Sequence, residues 1–186
     1  MQTTAEPMHR DLPNARVPLV GFAARSGTGK TTLLCRLIPW LNRQGLRVGL
    51  IKHAHHEFEV DKPGKDSFEL RKAGASPVML SSSHRRAVIT EHPEPFEPLL
   101  NEELRFIDQD AVDLLLVEGF KQAPFPKLEL HRPALGHEPL YPLDPWIVAI
   151  ATDAKLTPTP PIPCLDINDP EQIGAFLLRR LGRSRS

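Results

Sequence analysis

Cysteine is scarce in this chain of 186 residues: Cys35 and Cys164 are the only two, and they lie far apart. That excludes a disulfide framework and a cysteine-based zinc site, and it fits a reducing compartment. Excess charge of either sign is also missing. Lys+Arg 23 balance Asp+Glu 23 to a formal +0, which argues against the broadly basic surface of a non-specific nucleic-acid binder and leaves room for a local basic pocket. Long apolar runs are absent too. The longest, such as residues 146–151, fall far short of the roughly 20 that a membrane span needs, and no signal-peptide core opens the chain. The expectation is a cytoplasmic protein with neither a membrane nor a nucleic-acid partner.

What is present fits one globular domain: 40% hydrophobic and 25% charged residues. Residues 1–16, with two prolines, mixed charge and no apolar periodicity, read as a flexible tail, as do residues 182–186. Between them, over 17–181, short apolar runs alternate with amphipathic stretches: VPLVGFA, TTLLCRLIPWLNRQG, LRVGLIK, and later VDLLLVEG and WIVAIAT. Near-continuous apolar strands suit a sheet buried on both faces, with helical crossovers as the covering layers. The rhythm predicts an α/β three-layer sandwich with a mostly parallel sheet.

Leu33, Leu37, Ile38 and Leu41 form one stripe of a first helix that ends at Gly45 and is expected to kink at Pro39. Asp66, followed three residues later by Glu69, reads as the cap of a short second helix that stops at Gly74. Eleven of the 20 prolines fall in 124–170, so the C-terminal third is expected to be loop-rich, with short strands KLEL and WIVAIA and a last helix near 170–181.

The strongest chemical signal is the run from Ala24 to Thr31, ARSGTGKT, a phosphate-binding loop with alanine in place of the usual first glycine. Gly27 and Gly29 let the backbone fold around phosphate oxygens at the start of a helix whose dipole favours anions. Lys30 would bridge the β and γ phosphates, Thr31 would place its hydroxyl on Mg²⁺, and Ser26 and Thr28 would add donors around the rim. An apolar strand before the loop and an amphipathic helix after it supply the setting the motif requires. The loop with its flanks, Arg25, Ser26, Gly27, Thr28, Gly29, Lys30, Thr31 and Thr32, is the expected nucleotide contact, and the P-loop NTPase type of α/β fold follows.

In DLLLVEG, Asp113 and Glu118 sit at opposite ends of a buried strand, roughly 16 Å apart at about 3.3 Å per residue. Ligands of open α/β sheets gather at strand C-termini, so Glu118 is the candidate metal-side and catalytic acid, with Lys30. The alternative is that Glu118 caps the following loop. Asp113 reads as a cap at the strand entrance. The polar loop after LRVGLIK brings Lys52, His53, His55, His56, Lys62 and Lys65 after a strand end, where the lysines could meet phosphates and Asp66 could join the metal shell. A zinc reading of the three histidines competes with a solvated loop. Arg71 and Lys72 read as a solvated helix face. Asp153, directly after WIVAIAT, could accept from guanine N1–H and N2–H₂, or it could only start a turn.

The sequence resembles the MobB family, the nucleotide-binding adaptors of bacterial molybdopterin-guanine dinucleotide synthesis. The likeness rests on ARSGTGKTTLL, GLIKHAHHEFEVDKPGKDSFELRKAGA, DLLLVEGFK and the late strand ending ATD, and covers roughly 17–181 in order. It implies GTP as preferred nucleotide with Mg²⁺, feeble GTPase activity, a homodimer, and assistance to a MobA-type guanylyltransferase with contact to a MoeA-type molybdenum insertase. Arg25 lies where related P-loop proteins carry a lysine that reaches a partner's phosphates; an exposed loop arginine is the plainer reading. A metabolite kinase or ATP-dependent synthetase acting on an anionic small molecule is the alternative function, and a partner-binding protein with an idle phosphate loop is a third.

Overall fold

Six apolar runs pair into one parallel sheet: β1 (Leu19–Ala24), β2 (Val48–Lys52), β5 (Leu114–Glu118), β6 (Lys127–His131), β7 (Ile147–Thr152) and β8 (Cys164–Asp166). The computed structural model describes residues 11–54 and 58–183, so His55, His56 and the first ten residues lie outside it. The strand order is β2-β5-β1-β6-β7-β8. In register, Phe22 stands opposite Glu118 on one side and Leu128 on the other, and Lys52 stands opposite Glu118. The carboxyl ends of β1, β2 and β5 are thus brought level, which is where an open α/β sheet binds its ligand.

Alternation along the strands sorts side chains to two faces. Val20, Phe22, Leu114, Leu116, Leu128, Leu130, Ala149 and Ala151 join α1 (Lys30–Arg43) and α4 (Pro170–Arg180) in one core. The α1 stripe is Leu33, Leu34, Leu37, Trp40 and Leu41, with Ile38 only partly buried. Each fully buried leucine of this set contributes about 1.5–3 kcal/mol relative to exposure. α1 runs on through Pro39 to Arg43, and its backbone turn is closed by Gly45. The two helices meet at Gly174, where a side chain would collide with Trp40: an added Cβ would lie 2.2 Å from its Cζ3.

The other face is covered by Leu12, Phe120, Phe125 and the short α3 (Leu100–Glu103), packed on Leu19, Leu115 and Val117. This makes three layers, and part of the expected N-terminal tail, residues 11–16, belongs to them. Residues 11–16 are tied down: Leu12 is buried, Asn14 N–H donates to Asn101 Oδ1 at 3.0 Å, and Arg16 N–H donates to Gln109 Oε1 at 2.7 Å. At the other end Gly182 and Arg183 continue the α4 cap, with Arg183 N–H donating to Leu178 O at 2.9 Å. No helix among the described residues is long and apolar enough to cross a membrane.

β6 carries charge into this second face. Lys127, Glu129 and His131 are all buried, and for Lys127 and Glu129 burial is offset by dedicated partners. Lys127 Nζ donates to Lys121 O at 2.8 Å and pairs with Asp144 at 2.9 Å. Glu129 accepts from the backbone N–H groups of Leu140 at 2.6 Å and Tyr141 at 2.8 Å. Burial pushes its carboxyl above the ordinary value, and those two N–H groups hold it back in part.

Residues Ala54–Pro98 form a separate compact unit. Within it, β3 (Val78–Ser81) and β4 (Arg86–Ile89) make an antiparallel pair beside α2 (Asp66–Lys72) in sequence. Two expectations are corrected here. Asp66 is the first residue of α2, not its cap; Lys65 stands at the cap with no side-chain bond. Arg71 is buried, not solvated, because it pairs with Glu59 at 2.7 Å and with Glu91, and lies 5.1 Å from the Phe68 ring centroid.

Candidate functional site

The segment 25–29 joins β1 to α1, and its geometry is set by glycine. Gly27 at φ 79 and Gly29 at φ 92 adopt left-handed conformations that other residues resist. Gly29 is the N-cap of α1, no side chain caps the helix, and its first turn has no acid. Among the described residues no side-chain bond to the first-turn N–H groups is seen, as an anion-binding helix start requires.

Thr28 departs from expectation. It is buried, and its hydroxyl donates to Arg25 O at 2.6 Å, so it ties the loop to itself instead of offering a donor at the rim. Arg25, Ser26, Thr31 and Thr32 are exposed. Arg25 also contributes positive charge felt by the buried Glu129.

Lys30 Nζ lies 3.0 Å from Glu118 Oε1, and Lys52 Nζ 3.7 Å from the same oxygen. The sheet explains the meeting: Glu118 ends β5, the neighbour of both β1 and β2. The Lys30 and Glu118 side chains are 23% and 16% exposed, whereas Lys52 is 58% exposed, so Lys30 is the inner partner. His53 follows Lys52, donates its N–H to Glu118 O at 2.8 Å, and its ring centroid lies 5.0 Å from that of Phe120. At the far end of β5, Asp113 takes the Arg47 guanidinium at 3.0 Å and the Arg47 N–H at 2.8 Å, which hold its carboxyl at about 2.

Asp153 follows β7. It is not idle: Arg132 Nη1 donates to its Oδ2 at 2.5 Å. Arg132 was not foreseen. The only sequence signal for it was its place directly after β6, at the carboxyl end of a strand lying between β1 and β7. Lys62, Lys65 and Asp66 fall in the second unit, where they form the turn that enters α2. Among the described residues no group of three or more His, Cys, Asp or Glu side chains could hold a metal by itself, and two of the three loop histidines lie outside those residues.

A family described as "Molybdopterin guanine dinucleotide synthesis protein B", MobB, matches residues 19–153. The molybdopterin-guanine dinucleotide biosynthesis adapter protein of Escherichia coli strain K12 is 47% identical over 163 residues, 87% of this chain and 92% of that protein. Its namesake in Haemophilus influenzae is 44% identical, over 88% of this chain and 89% of the relative. Among solved structures, Bacillus subtilis MobB superposes with a TM-score of 0.64 at 26% identity, covering 88% of this chain and 97% of that one. The MobB homologue of Bacillus stearothermophilus gives 0.63 at 22% identity over similar shares, a likeness of fold. With the phosphate-type loop, the acid beside its lysine and the parallel sheet in place, the chain belongs to the MobB family.

Proposed function

We propose that this protein is a GTP-binding adaptor with slow GTPase activity that assists conversion of molybdenum cofactor to its guanine dinucleotide form. The observation that carries the nucleotide half is the Lys30–Glu118 pair at 3.0 Å beside an uncapped helix start with left-handed Gly27 and Gly29. A lysine, an acid and the amides of an uncapped helix start, gathered at the carboxyl ends of neighbouring strands, suit a nucleoside triphosphate. The pathway half is supported by the names of the relatives, which are biosynthesis adapters.

The residues fit Mg²⁺. Thr31 and Glu118 offer hard oxygen ligands from the helix and strand that Lys30 links, and they would hold the ion. Bound there, it would neutralise charge on the β and γ phosphates. Lys30 releases Glu118 as its ammonium turns to phosphate oxygens, and Lys52 stays as counter-ion to the carboxylate. Asp153 takes guanine N1–H and N2–H₂ as an acceptor, which adenine does not match. No cis arginine finger or water-positioning glutamine is assigned, so turnover is slow without a partner. Arg25 acting across a dimer would show as Arg25→Ala slowing hydrolysis far more than it weakens GTP binding.

Self-association is supported by the second unit, where Met79 and Val88, cross-strand partners, are 62% and 55% exposed. An apolar pair left in water is of the kind a second copy covers. The partner enzymes that fit the pathway are a MobA-type guanylyltransferase and a MoeA-type insertase, and a chain with only two, widely separated cysteines fits a reducing compartment such as the cytoplasm.

The test is competition of fluorescent GTP and ATP analogues by the unlabelled nucleotides in Mg²⁺. Preference for GTP is expected. Equal affinity or preference for ATP would overturn the guanine assignment and favour the small-molecule kinase or synthetase.

A further inference from the structure

Arg132, which no motif in the sequence singles out, commits its whole guanidinium to the protein. Its Nε donates to Thr28 O at 3.0 Å, its Nη1 to Asp153 Oδ2 at 2.5 Å and its Nη2 to Asn168 Oδ1 at 3.0 Å. All three guanidinium nitrogens are committed, each to a different loop. One holds the carbonyl of the phosphate-type loop after β1, one the carboxylate after β7, and one the carboxamide between β8 and α4. The topology makes this bridge possible. Arg132 follows β6, which the sheet places between β1 and β7, so its side chain spans the two strands whose loops carry the phosphate and base ends of the proposed site.

Each bond has a physical consequence. The bond to Thr28 O fixes the peptide that precedes Gly29, the N-cap of α1. The bond to Asp153 leaves Oδ1 and the remaining lone pair of Oδ2 for other donors, since a carboxylate has about four acceptor positions. A charge-assisted bond to a planar guanidinium restricts the carboxylate to one plane, so its unused acceptor positions face one way and can take two N–H groups at once. Asn168 is itself held, its N–H donating to Asp166 Oδ1 at 2.8 Å, and it anchors the third corner. At 29% and 28% side-chain exposure, Arg132 and Asp153 are shielded enough for geometry to matter and open enough for a ligand to reach the acid.

We infer that Arg132 is a positioning residue for nucleotide selection: it orients the Asp153 carboxylate toward the purine edge while locking the phosphate-type loop, and so couples choice of base to binding of phosphate. The inference rests on the reading of Asp153 as the guanine acceptor. It adds a residue that touches no part of the nucleotide and acts through two groups that do.

The experiment uses the full-length protein and measures affinities for GTP, ATP and ITP in Mg²⁺ for wild type, Arg132→Ala, Arg132→Lys, Asp153→Ala and the Arg132→Ala/Asp153→Ala double variant. ITP lacks the 2-amino group. Losing a charge-assisted bond that orients the acceptor is expected to lower the GTP-to-ATP ratio about tenfold in Arg132→Ala. Arg132→Lys keeps the charge but has no planar fork to serve three loops, and is expected to lower the ratio as well. In the Asp153→Ala background, removing Arg132 is expected to leave the ratio unchanged, which is the mark of action through Asp153. If wild type shows no preference for GTP, or Asp153→Ala keeps it, the guanine reading falls, and the inference with it. If Asp153→Ala loses the preference while both Arg132 variants keep the wild-type ratio, the inference alone falls. A purely structural contribution would weaken GTP and ATP equally and keep the ratio, and it counts against the inference in the same way.

Discussion

Glu118→Gln separates the lysine's two partners, the neighbouring acid and the phosphate of the proposed nucleotide. In the structure Lys30 Nζ sits 3.0 Å from Glu118 Oε1 with side chains 23% and 16% exposed. A fully exposed pair contributes about 0–1 kcal/mol, and breaking a fully buried one costs about 3–5 kcal/mol. At this intermediate exposure the pair is worth about 1.5 kcal/mol, near a factor of ten in an equilibrium constant. Triphosphate binding without metal must give up that contact, because the ammonium cannot hold both partners at full strength. Glutamine keeps the shape and removes the charge, so the ammonium is released in advance. Titration with a fluorescent GTP analogue in EDTA is therefore expected to show the variant binding several-fold to about tenfold tighter than wild type. In Mg²⁺ the order is expected to reverse, because wild type keeps a carboxylate for the ion and the variant does not, and Mg²⁺-dependent hydrolysis is expected to fall strongly. Weaker binding of the variant in EDTA would refute the competition between Glu118 and phosphate. An equal gain from Mg²⁺ in both proteins would remove Glu118 from the metal.

Gly174→Ala puts a methyl group 2.2 Å from Trp40 Cζ3 in the seam between α1 and α4; a loss of about 1–3 kcal/mol is expected in urea unfolding, and an unchanged midpoint would show that the seam yields freely. The Arg47 guanidinium and N–H lower the Asp113 carboxyl from 3.8 to about 2. A depressed folded value means stability that is complete above the unfolded value and is lost as pH falls through the folded one. Asp113→Asn is accordingly expected to flatten the fall in stability between about pH 4 and pH 2, and an unaltered acid limb would place that dependence elsewhere. Arg71→Met removes the cation that pairs with both Glu59 and Glu91; faster amide exchange is expected across β3 and β4, with exchange in β1 and β5 unaltered.

The parts of this molecule that could be read from sequence are those whose physics is contiguous. The segment from Leu19 to Arg43 carries a strand, a glycine turn and a helix whose apolar stripe recurs at helical spacing, and all three form where the pattern puts them. Glu118 could be chosen over Asp113 because a parallel strand has a defined ligand end. Local signals misled where a distant partner decided the outcome. Leu12 sits in a stretch with no apolar periodicity, yet it is held by the layer that Leu100 and Leu104 help to build. Arg71 shares α2 with Lys72 and looks like its neighbour in sequence, but Glu59 and Glu91 draw it inward.

Arg132 marks the limit most plainly. Its three bonds reach 104, 21 and 36 residues along the chain, and none belongs to a spacing that a helix or strand would repeat. What brings them together is the order of the strands, since β6 follows β5 in sequence yet lies across β1 from it. A residue at the carboxyl end of β6 is thereby next to the loop after β1 and the loop after β7, whatever its immediate neighbours are. Strand order in a parallel sheet thus says which loops a single side chain can join, and a charged residue at the end of the strand between two ligand-facing loops is the position to inspect first.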